Sequence, residues 1–189
     1  MAMPVSVHRF TVDEVDALPD DGNRHEVLDG VLLVTPGPGL PHQTVATQLA
    51  IRLGAFLAAE PELLVWAPGG VIRRPWVQLQ PDVLVGSCPF GEPRWENVCD
   101  HWLAVEVSGT GSRVYDRDYK RDGYLALGVE EVWLVDLRDR RVLVSRREGP
   151  KDVPHDKELV WRSPAGRVLT VDVAGLFSGL VFNGPESEN

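Results

Sequence analysis

The stretch from His101 to Val144, HWLAVEVSGTGSRVYDRDYKRDGYLALGVEEVWLVDLRDRRVLV, constrains the fold more than any other part of the chain. It reads as strand, loop, helix, strand, turn, strand. The first strand, Trp102 to Val107, is an apolar run carrying one carboxylate, Glu106. Side chains alternate along a strand, so Val105 and Val107 share one face, and Ala104, Glu106 and Ser108 the other. A carboxylate buried in such a run needs a cationic or hydrogen-bonding partner. The following helix offers one. Lys120, Tyr124 and Leu127 fall at helical spacing, which puts the lysine on the apolar face of that helix. Such a pair is either a buried structural ion pair or part of a reactive centre.

The length of 189 residues suits one domain, residues 1–189, with a core of real size and a frayed tail at about 183–189. A hydrophobic share of 43% and a charged share of 25% are those of an ordinary globular chain. No run approaches the roughly 18 apolar residues of a membrane span, so no membrane partner is expected. The opening residues, MAMPVSVHRF, lack a hydrophobic signal region, and a cytoplasmic location is expected. Cys88 and Cys99 read as two ordinary thiols, too few for a disulfide framework or a zinc site.

A net charge of −9 argues against gripping nucleic acid by bulk electrostatics. Between Arg113 and Arg147, however, nine basic residues face seven acidic ones, a small local positive excess. That permits a weak phosphate-contacting rim, while a solvated face explains the arginines equally well.

In chain order, Thr11 to Glu14 forms a capping box that starts a short helix ending before Pro19. His25 to Leu28 and Val31 to Val34 flank Asp29-Gly30, a two-residue hairpin turn, with Glu26 in the first strand. A Pro/Gly loop from Thr35 to Pro41 precedes the longest helix, His42 to Ala59, where Val45, Leu49, Leu53 and Phe56 recur at helical spacing. Strands follow at Leu63 to Trp66, Val71 to Arg73 and Gln80 to Gly86, the last entered through Pro81 with Asp82 at its mouth. Ser87 to Asp100 is loop-like. The C-terminal part offers strands at Leu159 to Arg162 and Val168 to Val173. This order gives an α+β (mixed α/β) fold with a central sheet, and not an alternating βα run.

Asp82 and Glu106 converge if their strands are neighbours, and two carboxylates at one opening suit Mg²⁺ or Mn²⁺ rather than Zn²⁺. Lys120, facing the same space, would stabilise charge on a phosphate or orient an attacking water. Glu26 on the hairpin is a fourth polar candidate. Each residue also has a plainer reading. Asp82 after a proline suits a turn or cap, Glu26 a cross-strand charge, Asp116 a helix N-terminal charge, and His42 a surface histidine at a helix start. His25 and His101 lie on opposite faces from the candidates beside them. The Gly109 to Ser112 loop lacks the spacing of a phosphate-binding loop, and no nucleophile elbow surrounds Ser108.

Pro81-Asp82, then Val105 to Ser108, then Asp116 to Lys120 resemble the PD-(D/E)XK nuclease superfamily, and more closely its Uma-two branch of restriction-endonuclease-like proteins. Glu26 to Gly30 resembles that branch's glutamate before a hairpin, His42 its helix-opening histidine, and Gly128 to Asp136 its Trp-Leu-Val-Asp strand. The similarity runs from about Phe10 to Leu180. It implies a restriction-endonuclease-like core, a four-stranded mixed sheet flanked by helices, with extra strands and hairpins around it. It also implies metal ligation by Asp82, Glu106 and the Val107 carbonyl, with the catalytic lysine moved to the helix as Lys120. A homodimer acting on DNA is implied as well. Position 108 is Ser where the superfamily has Lys, and Ser108 to Ser112 lacks the branch's proline.

On this resemblance the chain is expected to be a Mg²⁺-dependent endodeoxyribonuclease with Asp82, Glu106, Lys120 and Glu26 as site residues. The alternative is an interaction module that keeps the fold without hydrolysis, favoured by the acidic charge and by six tryptophans able to form a surface patch. A metal-dependent hydrolase of another substrate is a third reading.

Overall fold

The computed structural model describes residues 8–87, 94–109 and 119–180. Asp116, Cys88 and most of the Gly109 to Ser112 loop therefore lie outside the described residues. Helix α1 (Val12–Asp16) is started by the capping box: the Thr11 hydroxyl accepts from the Glu14 N–H while the Glu14 carboxylate accepts from the Thr11 N–H at 2.7 Å. Strands β1 (Asn23–Leu28) and β2 (Val31–Pro36) pair antiparallel about Asp29 and Gly30. Both turn residues have positive φ, 51° and 82°, as the tight hairpin turn requires. Helix α2 (Leu40–Leu57) begins two residues earlier than its periodicity suggests, because Pro41 fits the first turn, where its missing N–H costs nothing.

Strands β3 (Leu63–Trp66), β4 (Ile72–Arg74), β5 (Val77–Leu79) and β6 (Val83–Ser87) follow. Next come β7 (Asp100–Ser108), α3 (Arg121–Ala126), β8 (Glu131–Asp136) and β9 (Arg141–Arg146). The chain closes with β10 (Val153–His155), β11 (Glu158–Arg162), β12 (Val168–Asp172) and α4 (Val173–Leu176). The sequence pattern did not disclose β5 or β10, each three residues long, since a strand that short shows no period.

Among the described residues, the central sheet has six strands in the order β10-β9-β8-β7-β6-β3. It is mixed: β7 and β8 run parallel, joined across α3, and its other pairings are antiparallel. A second sheet, β2-β1-β5-β4, and the β11-β12 hairpin complete the strands.

Alternation along β7 splits the core in two. Leu103, Val105 and Val107 pack with Leu49 and Leu53 of α2, Leu176 of α4 and Trp161 of β11. Ala104 faces the other way, toward Tyr124 of α3 and Leu28, Ile72 and Leu79 of the second sheet. A sheet covered on both faces explains why β8 is apolar in four positions running, Val132 to Val135, rather than alternating. Glu106 projects into the second of these layers, between α3 and β1. Trp76 is the exposed tryptophan, at 48%; the other five are buried or half-buried, so they form no broad aromatic patch. Among the described residues, no helix is long and apolar enough to cross a membrane.

Candidate functional site

The site lies where β7 outruns its neighbour. Val83 of β6 pairs with Val105, so β6 ends its pairing before Val107. The Asp82 carboxylate takes over, its Oδ2 accepting the Val107 N–H at 2.8 Å. The N–H and C=O of one strand residue point to the same flank of an antiparallel pair, so the Val107 carbonyl opens beside Asp82. Pro81 and Asp82 thus act as a strand entry and a strand extension together.

Strand β1 crosses this end of the sheet. Alternation puts Arg24, Glu26 and Leu28 on one face, with Leu28 in the core layer shared with α3. Arg24 Nη1 donates to Asp82 Oδ1 and to the Gln80 carbonyl, each at 3.0 Å. Glu26, wholly buried, accepts the Gln80 N–H on Oε1 at 2.7 Å and meets Lys120 Nζ on Oε2 at 2.5 Å.

Lys120 stands at the N-terminus of α3 with its own backbone already helical, and is 1% exposed. Its ammonium lies 3.4 Å from Glu106 Oε1. Tyr124, one turn on, donates its hydroxyl to the same Glu106 oxygen at 2.5 Å. Gly123 lets α3 come this close: a Cβ there would stand 2.6 Å from Leu28 Cδ2 of β1. The lysine and the phenol, four residues apart, reach one pit from one helix end.

His42 corrects an expectation. It is not a surface histidine: its side chain is 18% exposed and Nε2 lies 2.9 Å from Asp82 Oδ2. Pro41 and Gly39 set α2 so that its first turn aims inward. Arg24 was also unforeseen, although its position two before Glu26 on a strand carries the signal. His25 and His101 stand apart from the cluster, as alternation requires; His25 faces Asp21 at 3.6 Å.

The electrostatics bind these groups into one unit. Burial alone would raise the Asp82 pKa, but the His42 hydrogen bond and charge, Arg24 and the Val107 N–H hold it below the usual value. Burial works against the Arg24 charge, and Asp82, Glu106 and Glu26 together more than offset it, raising its pKa. Burial, then Glu106 and Glu26, push the Tyr124 hydroxyl well above the ordinary phenol value, so it stays a donor. All three carboxylates act electrostatically on both Arg24 and Tyr124, so they belong to one end of the sheet.

The donor types, two carboxylates and a strand carbonyl, are those a hard divalent cation takes. Among the described residues, no three of His, Cys, Asp and Glu are spaced to hold a metal. A third protein ligand would therefore come from the backbone, where Val107 opens toward Asp82. Arg24 pairs with Asp82 Oδ1, and His42 meets its Oδ2.

The chain is similar to a solved structure described as "a putative nuclease belonging to DUF820" from Anabaena variabilis ATCC 29413. The two share 17% identity over 89% of this chain and 98% of that one, with a TM-score of 0.71. At that identity the likeness speaks for the fold, a restriction-endonuclease-like core. No curated protein matches the chain. Residues 12–173 match the model of the Uma2 family, described as "Putative restriction endonuclease". With most of its length matched, the chain belongs to the Uma2 family of restriction-endonuclease-like proteins.

Proposed function

We propose that the protein is a divalent-metal-dependent endodeoxyribonuclease, hydrolysing DNA phosphodiester bonds at the centre built by Asp82, Glu106, Lys120 and Glu26. The observation that carries this reading is the convergence of three carboxylates and one lysine, from β1, the entry to β6, β7 and the start of α3, at the sheet end where β7 overruns β6. Asp82, Glu106 and the Val107 carbonyl would hold Mg²⁺ or Mn²⁺, which when bound supplies Lewis-acid polarisation at the scissile phosphate. Lys120 offers a fixed positive charge for the negative charge that develops there. Glu26 holds the Lys120 ammonium in place, and Tyr124 fixes one oxygen of Glu106. Arg24 and His42 keep Asp82 ionised and oriented. In this reading the enzyme works in the cytoplasm, as a homodimer, as one domain; light scattering tests the dimer.

Calorimetry with Mn²⁺ tests the centre without knowledge of a target sequence. Wild type is expected to bind and Glu106→Gln to lose binding, and supercoiled plasmid is expected to be nicked in Mg²⁺ by wild type only. Absence of both heat and nicking with wild type overturns the reading.

A second reading rests on one observation. Each of the three carboxylates already meets a cation, and Lys120 and Glu26 are almost wholly buried. A self-neutralised buried cluster can specify a core without chemistry, which would make the protein a non-catalytic interaction module.

A further inference from the structure

A cleft of about 320 Å³ opens from Asp82 along the outer flank of α2, away from the pit that holds Lys120. Its inner end is Asp82 and Arg24, and its walls are α2 and the Ala67-Pro68 corner beyond β3. Along α2, Gln43 and Thr47 are exposed and one turn apart, so both amide and hydroxyl present to the cleft. Ala46 and Ala50, also one turn apart, leave a flat apolar strip beside them. The cleft is therefore charged at one end, hydrogen-bonding along one rail and apolar along another.

This volume is at the low end of the roughly 300–1,000 Å³ of small-molecule sites. It admits one planar ring with its sugar and not a stacked base pair. Arg24 spends only Nη1 on Asp82 and Gln80 among the described residues. A guanidinium has five N–H donors, so donors remain for a phosphate oxygen at the inner end. A planar heterocycle over the alanine strip would offer its polar edge to Gln43 and Thr47.

We infer that this cleft holds a single unpaired nucleotide of a DNA strand, with its phosphate at Arg24 and its base against α2. The inference rests on the nuclease reading for the phosphate's position beside Asp82 and adds a substrate class to it. The preferred substrate is single-stranded DNA, or a duplex with an unpaired or extruded nucleotide, because a base still paired cannot enter the cleft.

The test is metal-free binding of a fluorescein-labelled dT₁₀ strand, of the matching blunt duplex and of dTMP, to wild type and to Thr47→Trp. Position 47 is exposed on α2, so the larger ring occupies the cleft without disturbing the core. Wild type is expected to bind the strand at least tenfold more tightly than the duplex. Thr47→Trp is expected to weaken the strand at least tenfold with an unchanged melting temperature, and Thr47→Ser to bind like wild type. Strand binding that Thr47→Trp leaves intact overturns the inference, as does preference for the duplex. Binding of dTMP without the strand also overturns it, assigning the cleft to free nucleotides instead. Strand binding lost in Thr47→Trp, in a wild type that cleaves nothing in Mg²⁺ or Mn²⁺, upholds the cleft while removing the nuclease reading.

Discussion

Lys120 lies closer to Glu26 than to Glu106, at 2.5 Å against 3.4 Å, so the lysine of α3 is anchored to the hairpin strand β1 as firmly as to the sheet. The site is thereby a junction of two sheets and a helix end. Removing any one charge leaves others stranded in a buried setting.

That arrangement makes Lys120 coupled to Glu26. Lys120→Met leaves two buried carboxylates without their shared cation and should cost about 3–5 kcal/mol. Adding Glu26→Gln to it should recover at least about 1 kcal/mol relative to the sum of the single changes. Urea unfolding of the four proteins reads the coupling directly, and strict additivity would show that the pair does not interact. Loss of cleavage in Lys120→Met alone is therefore ambiguous and needs the folded double variant beside it.

Tyr124 orients Glu106 through one hydroxyl. Tyr124→Phe keeps the ring in its packing and should cost about 2 kcal/mol, as for a hydrogen bond to a charged acceptor. Mn²⁺ affinity should fall with it if Glu106 is a ligand. An affinity unchanged in a measurably less stable protein would separate the tyrosine's structural part from the metal centre.

Asp82 has its pKa held below the ordinary carboxylate value, despite burial, chiefly by His42 and Arg24. A group depressed in the folded state contributes stability above its unfolded pKa and loses it as pH falls through the folded value. Asp82→Asn should remove this contribution, flattening stability against pH below about 4. Cleavage and Mn²⁺ binding should disappear at neutral pH while the fold persists. Retained Mn²⁺ heat in Asp82→Asn would exclude the residue as a ligand.

His101 carries a separate acid response. It is 2% exposed, and its Nε2 is buried without a hydrogen-bond partner among the described residues. Burial, with the nearby Arg74 charge, takes its pKa down to about 4, against a smaller opposing pull from Asp100. The unfolded chain binds this proton near pH 6.5 and the folded protein only near 4, so stability falls across that window as the solution is acidified. The loss amounts to about 3 kcal/mol. His101→Leu should abolish most of the slope between pH 6.5 and 4 in denaturant titrations; a slope that persists would place the acid sensitivity elsewhere.

The part of this architecture legible in the sequence is the part written in local patterns. The Thr11–Glu14 box, the Asp29-Gly30 turn, the α2 stripe and the apolar runs of β7 and β8 all depend on neighbours in the chain. Glu106 could be singled out because a carboxylate is costly in such a run, and Lys120 because its helical spacing matches Tyr124. The second sheet's β5 and the edge strand β10 were invisible, since three residues carry no period and form strands only when a partner offers its free edge.

The site divides along the same line. Sequence by itself determined the residue types, the alternation that sets Arg24 beside Glu26, and the strand entry at Pro81-Asp82. Tertiary structure alone decided that β6 stops short of Val107, that Asp82 fills the gap, and that His42 turns inward to meet it. It also decided that Lys120, at the start of α3, meets Glu26, with Gly123 allowing the close approach to Leu28. Local propensity acts over a few residues, whereas which charges share a buried volume depends on how whole sheets and helices stack. Only that stacking brings Arg24, His42, Asp82, Glu106 and Lys120 to one end of one sheet.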